Sequence, residues 1–282
     1  MNLTLSFLTV VAATAVAIAA LLWIRHRSPQ GGHFGDTSRA AGVFSILATT
    51  FAVLFAFVVL LSFNAYEKTR TGAETESETV VEQFETVQFL PPSVGPQLSG
   101  ELICYSRAVV YQEWPRMISG DPPEFNSWRV PLFLTFEAVH VTAPDEQEAY
   151  GQWLDESAAR EQAREDRIHG ASGIVPAPLW FTFLITAGIV WGFVFFFADR
   201  SERALIQAMQ IGAVTAMLAS SLLLVRFLDR PFHAGAGSIK PTAMEHALGR
   251  MAATETAFKL QVPELCDAHG QPTAAGAALA SR

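Results

Sequence analysis

The sequence predicts an all-α integral membrane protein in which four transmembrane helices form two hairpins and a helical soluble domain is inserted between helices 2 and 3. Three observations carry this fold class. Half of the 282 residues are hydrophobic and only 16% are charged, against about 25% in ordinary soluble domains. Four windows without an ionisable side chain, 3–24, 42–63, 179–198 and 204–225, each exceed the ~18 residues that mark a spanning segment. Charge is also segregated, with 19 acids and 8 bases in 64–174 against 8 acids and 11 bases elsewhere. The expected organisation is therefore a transmembrane hairpin over 1–63, an acidic helical soluble domain over 64–174, a second hairpin over 175–228 and a C-terminal segment over 229–282.

The first span is rich in alanine (Ala12, Ala13, Ala15, Ala17, Ala19, Ala20), which lets neighbouring helices approach closely. It lacks a basic n-region, and its apolar run is longer than that of a signal peptide. It therefore reads as a retained span, although Ala17-Ile18-Ala19 fits a cleavage pattern. A short loop with Gly31-Gly32 and Gly35 leads to the second span, GVFSILATTFAVLFAFVVLLSF. As a helix this span is about 33 Å long, enough to cross a bilayer core. Nothing breaks the pattern until Pro91-Pro92, so one rod is expected to continue from the membrane into water.

Beyond residue 64, Val80, Phe84 and Val87 form an apolar stripe at helical spacing. Glu74, Glu78, Glu82 and Glu85 form a second stripe. It reads as a solvated face or, in an oligomer, as a ring of carboxylates that attracts cations. A helix is expected over 97–114, ending at Glu113-Trp114-Pro115 because proline disfavours helix in the residue before it. The stretch 128–141 is apolar and is read as a helix in preference to a strand. Pro144-Asp145-Glu146 has the marks of a helix start. The helix it opens carries Arg160, Arg164 and Arg167 on one face, for surface pairing with Glu156 and Glu161 or for docking.

Pro176 and Pro178 precede an aromatic third span in which Gly188 and Gly192 make a GxxxG pair. The fourth span carries a ladder of Ala208, Gly212, Ala216 and Ser220. Both patterns favour tight helix contacts. At its end, Arg226 is placed to pair with Asp229. A further helix is expected over 242–258, and the Ala/Gly-rich tail 271–282 is expected to be disordered.

The chemistry of an enzyme is not legible. The seven histidines lack metal-ligand spacing, and phosphate-binding or nucleotide-binding glycine motifs and a GxSxG elbow are missing. No catalytic, cofactor or metal residues are assigned, and the chain is not expected to be an enzyme. The acidic balance of 64–174 argues against a nucleic-acid partner. Cys104 and Cys266 fall on the same side of the membrane, as a disulfide if that side is oxidising or as two buried thiols.

The stretch FAVLFAFVVLLSF running into an acidic helix, then RAVVYQEWP, RIHGASGIVPAPLW and LDRPFHAG, resembles the bestrophin-like family of four-span membrane proteins. These are distantly similar to the bestrophin anion channels. The resemblance runs from about residue 42 to 248, with matching positions at Glu113, Trp114, Pro115, Arg167, Leu228, Asp229, Pro231, Phe232 and Gly235. It implies a homo-oligomeric channel whose second span lines the pore, in a multi-pass protein of the cell (inner) membrane whose partners are the lipid bilayer, copies of itself and ions. His233 stands where bestrophins have the glycine of Pro-Phe-Gly, and the acidic calcium-binding run is absent, so calcium gating does not carry over.

Phe44, Phe51 and Phe55 on the second span are the expected constriction of such a pore, and they would serve equally as bundle core. A non-conducting scaffold or sensor, whose soluble domain binds a partner, is the alternative. The uncharged spans favour it, because ion pathways often carry intramembrane ionisable groups. The bases of the short loops (Arg25, Arg27, Arg39, Arg200, Arg203) place those loops inside and the acidic domain on the outer side. The bestrophin arrangement implies a cytoplasmic domain instead.

Overall fold

The structure, a computed structural model, describes residues 3–233 and 235–280. Its described residues form helices α1 (Leu3–Arg27), α2 (Thr37–Thr86), α3 (Gly95–Ala108), α4 (Trp114–Ser119), α5 (Arg129–Glu137), α6 (Pro144–His169), α7 (Ala177–Phe195), α8 (Ala204–Asp229), α9 (Thr242–Phe258) and α10 (Ala274–Ala280). There is no strand among them, only an isolated bridge between Cys266 and Pro272. Helices α1, α2, α7 and α8 are each long and apolar enough to cross a membrane. As the unbroken pattern predicts, α2 is one helix of 50 residues, closed by a single 3-10 turn at Val87–Phe89 before the two prolines.

Two units are distinguished along the chain. The first comprises the residues up to Tyr66 and Gly173–Gly237, and the second Glu67–Ser172 with the chain from Ser238 onward. Within the first unit the main neighbour of α1 is α8, not the next helix in sequence that a simple hairpin pairs it with. The alanines of α1 and the small-residue ladder of α8 permit this. A methyl group built on Gly212 would already touch Ile18 at 3.4 Å and Thr14 at 3.5 Å, and Ala17, Leu21 and Ile211 are buried. A methyl group built on Gly188 or Gly192 of the GxxxG pair, by contrast, would meet nothing within 4 Å among the described residues. The second core of this unit joins Phe51 and Val58 of α2 to Phe183, Ala187 and Val190 of α7 and to Leu218 and Val225 of α8.

The loops at one end of the first unit are tied together. Arg25 donates to the carbonyls of Asp199 (3.0 Å), Arg200 (3.1 Å) and Glu202, and Gly31 N donates to Asp199 Oδ1 at 3.0 Å. The loops 28–36 and 196–203 therefore share one end of this unit, with Arg25, Arg27, Arg39, Arg200 and Arg203 in or beside them.

In the second unit the stripe Val80, Phe84 and Val87 is buried, and Glu74, Glu78, Glu82 and Glu85 are exposed. Gly72 lets α2 approach α6, since a methyl group there would lie 2.8 Å from Ala163 O and Arg167 N. The segment 128–141 does form a helix, α5. Helix α6 starts at Pro144, with Glu146 Oε2 accepting from the amides of Thr142 and Ala143 at 3.1 and 3.2 Å.

Two expectations are corrected here. The helix over 97–114 does not stop at Pro115. A π turn at Val109–Glu113 lets Trp114 N donate to Val109 O, and helix resumes as α4 with proline in its first turn. A missing amide costs little at that position. The tail is not disordered over 271–280, where α10 forms and Thr273 N donates to Leu265 O at 2.9 Å. Immediately before it, Gly270 O accepts from Trp128 Nε1 at 2.9 Å. A buried tryptophan offers a partner that composition alone does not reveal. Positions 281–282 of the expected tail lie outside the described residues. The segment after 237 thus packs within the second unit, where a separate C-terminal segment was expected.

Candidate functional site

The three aromatic residues expected to narrow a pore lie on the side of α2 that packs inside the first unit. The Phe51 ring is stacked on Phe183 of α7 with centroids 5.3 Å apart, and Phe55 lies 6.0 Å from the same ring. Phe44 stacks on Phe193 at 6.0 Å. Phe51 is only 3% exposed, so within one protomer its ring has no free side. Of the two uses that the spacing allowed, bundle core is the one this geometry favours.

The opposite side of α2 is open. Ile46, Val53 and Phe57 recur along it at helical spacing, and Val53 and Phe57 are 64% and 62% exposed. They form a shallow groove with Ser45, Thr49, Thr50 and Leu54. Thr50 Oγ1 satisfies itself on Ile46 O at 2.8 Å. This face is apolar with a few hydroxyls and no charge, so it can line a dewetting constriction or meet another apolar surface, but it cannot do acid–base chemistry. Sequence spacing does not separate the two sides of α2, because Phe44, Phe51 and Phe55 are as apolar as Ile46, Val53 and Phe57.

The matched motif residues of the second unit converge in its interior. Arg167 is fully buried. Its Nη2 donates to Glu113 Oε2 at 2.7 Å and to Glu76 Oε1 at 2.9 Å, and its Nε donates to Glu76 Oε2. Glu113 Oε1 accepts from Asn126 Nδ2 at 2.9 Å and from Arg164 Nη2 at 3.3 Å. Tyr105 OH donates to Glu76 at 2.6 Å, and the Arg167 guanidinium stands 5.5 Å from the Trp114 ring centroid. Burial opposes the charge of Glu113, but Arg167 and Arg164 outweigh it and hold the carboxyl below its usual range. For Tyr105, burial and the adjacent Glu76 push the phenol well up.

The basic face of α6 is therefore divided: Arg160 pairs with Glu161 as the spacing allowed, at 3.5 Å, and donates to Gln83 Oε1 at 2.7 Å, whereas Arg164 and Arg167 point inward to buried carboxylates. Nothing in the spacing singled out Glu76. It lies off the acidic stripe, and only its separation from Glu74 and Glu78 by two residues hinted at the opposite side of the helix.

At the end of α8, Asp229 does not pair with Arg226 as expected. Its Oδ1 accepts from the amides of Ile174 and Val175 at 2.9 and 2.7 Å, and its Oδ2 from Trp180 Nε1 at 3.2 Å. The acid thus binds the chain leading into α7. Pro231 and Phe232 beside it are buried, and Gly235 N donates to His233 Nδ1 at 3.0 Å. In the second unit Cys104 and Cys266 are joined as a disulfide with Cα atoms 5.7 Å apart. Arg107 Nη1 reinforces that junction, donating to the carbonyls of Cys266 and Asp267 at 3.3 and 3.2 Å. Among the described residues no group of three His, Cys, Asp or Glu side chains is arranged to hold a metal ion.

A family model described as a Bestrophin-like domain matches residues 11–244. Among solved structures, a bacterial bestrophin homologue from Klebsiella pneumoniae carrying a single substitution superposes with a TM-score of 0.63 at 14% identity. The match covers 90% of this chain and 98% of that one. A second substituted form of the Klebsiella pneumoniae homologue gives 0.62 at 15% identity, covering 89% and 97%. A structure described only as a membrane protein gives 0.63 at 14%, covering 93% and 100%. No curated protein matches the sequence. At these identities the structural likeness speaks for the fold.

Proposed function

Because the chain belongs to the bestrophin-like family, we propose that this membrane protein is a homo-oligomeric ion channel whose α2 helices surround the axis. The observation that carries the reading is the two-sidedness of α2 within the first unit. One side is committed to α7 and α8 through Phe51 and Val58. The other, with Ile46, Val53 and Phe57, is left exposed among the described residues. Apolar rings of this kind gate by dewetting and need no ionisable group in the membrane. The Klebsiella pneumoniae proteins, described as bestrophin homologues, support the same arrangement by fold.

In this reading the four apolar helices span the membrane, and the second unit is a soluble helical domain built from Glu67–Ser172, inserted between the spans α2 and α7, together with the chain from Ser238 onward. Its side of the membrane is the outer one. Two features support that placement. Arg25, Arg27 and Arg39 flank the loop 28–36, and Arg200 and Arg203 lie in the loop 196–203, and basic residues at the ends of short loops favour the cytoplasm. The second unit holds a disulfide, a bond at home in oxidising compartments.

The test is ion flux from liposomes containing the purified protein under chloride and potassium gradients. Flux above empty liposomes, reduced or enhanced by Val53→Ala or Phe57→Ala, is the expected result. No flux at good incorporation with both orientations present leaves a non-conducting scaffold or sensor as the reading.

A further inference from the structure

In the second unit, α5 and α6 border a cavity of about 450 Å³, a size within the about 300–1,000 Å³ of small-molecule sites. Its lining is mostly apolar. Phe136 and Trp153 are buried and stack with ring centroids 5.4 Å apart, and Val130, Phe133 and Leu154 stand exposed beside them. The charged lining residues are Arg129, Arg160 and Glu161. Two bases against one acid leave the cavity with a net positive charge, inside a stretch, 64–174, that holds 19 acids and 8 bases.

An apolar groove is by itself only a surface. Arg160 makes this one different, because it lines the cavity and is yet only 4% exposed. Its Nη1 donates to a neutral acceptor, Gln83 Oε1, at 2.7 Å, and its Nη2 reaches Glu161 Oε1 at 3.5 Å. Its Nε is buried and has no hydrogen-bond partner among the described residues. Arg164 and Arg167, further along the same helix, have an acceptor for each of their three side-chain nitrogens. The carboxylate beside Arg160 is also shared, since Glu161 Oε2 pairs with Arg129 Nε at 3.1 Å. A buried guanidinium with one long, shared ion pair is under-compensated, and a further carboxylate would give it a charge-assisted partner. Ser157 lines the cavity too; its Oγ accepts from Gln83 Nε2 at 2.8 Å, which leaves its own proton to donate.

The lining selects among anions. One net positive charge matches a monoanion, whereas the second charge of a phosphate would be repelled by Glu161. The apolar side chains occupy most of the wall, so the body of the ligand must be apolar as well, and its burial supplies the driving force. A few polar groups at one place on an apolar wall fix the orientation of such a ligand. We propose that the cavity between α5 and α6 binds a small apolar monocarboxylate, with the carboxylate on Arg160 and the apolar body against Phe133, Phe136 and Trp153.

The test is calorimetric titration of the full chain, purified in detergent, with octanoate, using protein-free micelles as the blank and octylammonium as the charge-reversed control. Saturable octanoate binding is expected, weakened about tenfold or more by Arg160→Gln, since a hydrogen bond to a charged group is lost. The same weakening is expected from Phe133→Glu, an exposed position where a carboxylate repels the ligand and which keeps the fold intact should the buried change disturb it. Octanoate heat that matches the blank, or binding that neither variant alters, overturns the site. Octylammonium binding as tight as octanoate overturns the carboxylate assignment. Absence of octanoate binding together with an oligomer that Phe133→Glu dissociates, read by size-exclusion chromatography, overturns the proposal in favour of an interface between copies of this chain.

Discussion

Arg167 donates to Glu113 at 2.7 Å across 54 positions of sequence, and the same guanidinium nitrogen also reaches Glu76 at 2.9 Å. One fully buried cation thus holds two buried carboxylates that sit in α2 and the π turn. Removing the cation leaves both carboxylates uncompensated, and breaking a buried pair costs about 3–5 kcal/mol. Arg167→Met is expected to lower the thermal midpoint of the detergent-solubilised protein by that amount of stability. Arg167→Lys should fall between it and wild type, because an ammonium keeps the charge but not the fork. A midpoint unchanged in Arg167→Met would refute this role.

The ion pairs of Glu113 also fix a sign for pH. Its folded pKa is lowered from an ordinary 4.5, with burial opposed and outweighed by Arg167 and Arg164. Its contribution is therefore present above the ordinary value and is lost as pH falls through the folded value. The stability difference between wild type and Glu113→Gln should be largest near neutrality and shrink toward zero in strong acid. A difference that stays constant down to pH 2 would show that the charge of Glu113 is not what stabilises the fold.

Glu156 has the opposite sign. Burial raises its pKa from 4.5, so the folded state holds a proton that the unfolded state releases, and stability falls as pH rises above the ordinary value. Glu156→Gln is expected to raise the melting temperature at pH 7, with the gain vanishing at pH 4. Melting curves at the two pH values decide this, and a loss of stability at pH 7 would count against it.

The Cys104–Cys266 bond closes a long stretch of chain, with 162 positions between its ends. Reduction, or Cys104→Ser together with Cys266→Ser, is expected to cost about 2–4 kcal/mol. Reductant should shift the melting temperature of wild type and leave the double variant unmoved. In intact cells, a membrane-impermeant thiol reagent should label the Cys104→Ser variant at Cys266 if the second unit faces outward. Labelling only after the cells are opened would place that unit inside.

The two sides of α2 predict different phenotypes. Phe51 is closed into the core with Phe183, so Phe51→Ala should cost about 3 kcal/mol or more through the cavity it leaves. Phe57→Ala, on the open side, should leave stability nearly unchanged and alter conductance. Measuring melting and flux on the same two preparations separates the assignments, and a conductance change in a fully stable Phe51→Ala would reverse them.

Much of this protein is legible in its sequence because hydrophobic length and periodicity are local quantities. The four apolar windows became α1, α2, α7 and α8, and the run without a break from 37 to 86 became one helix. The stripe Val80, Phe84 and Val87 went inside because its spacing left it one side to occupy. Direction is a different matter. Whether Phe51 or Phe57 faces a neighbour depends on where α7 lies, since both are equally apolar. Arg164 and Arg167 of α6 read as part of a surface stripe because a buried guanidinium is tolerable only opposite a carboxylate, and Glu76 and Glu113 come from distant parts of the chain. The same holds for Asp229, claimed by the backbone at Ile174 and Val175 and not by nearby Arg226, and for the tail that follows Gly270, which accepts from Trp128. Local pattern was enough to find the long helices and those apolar enough for a membrane, but not α10 or the passage through Pro115. Only the tertiary structure decided which charges are buried and which face of α2 is left open, because those outcomes depend on partners that helical periodicity does not encode.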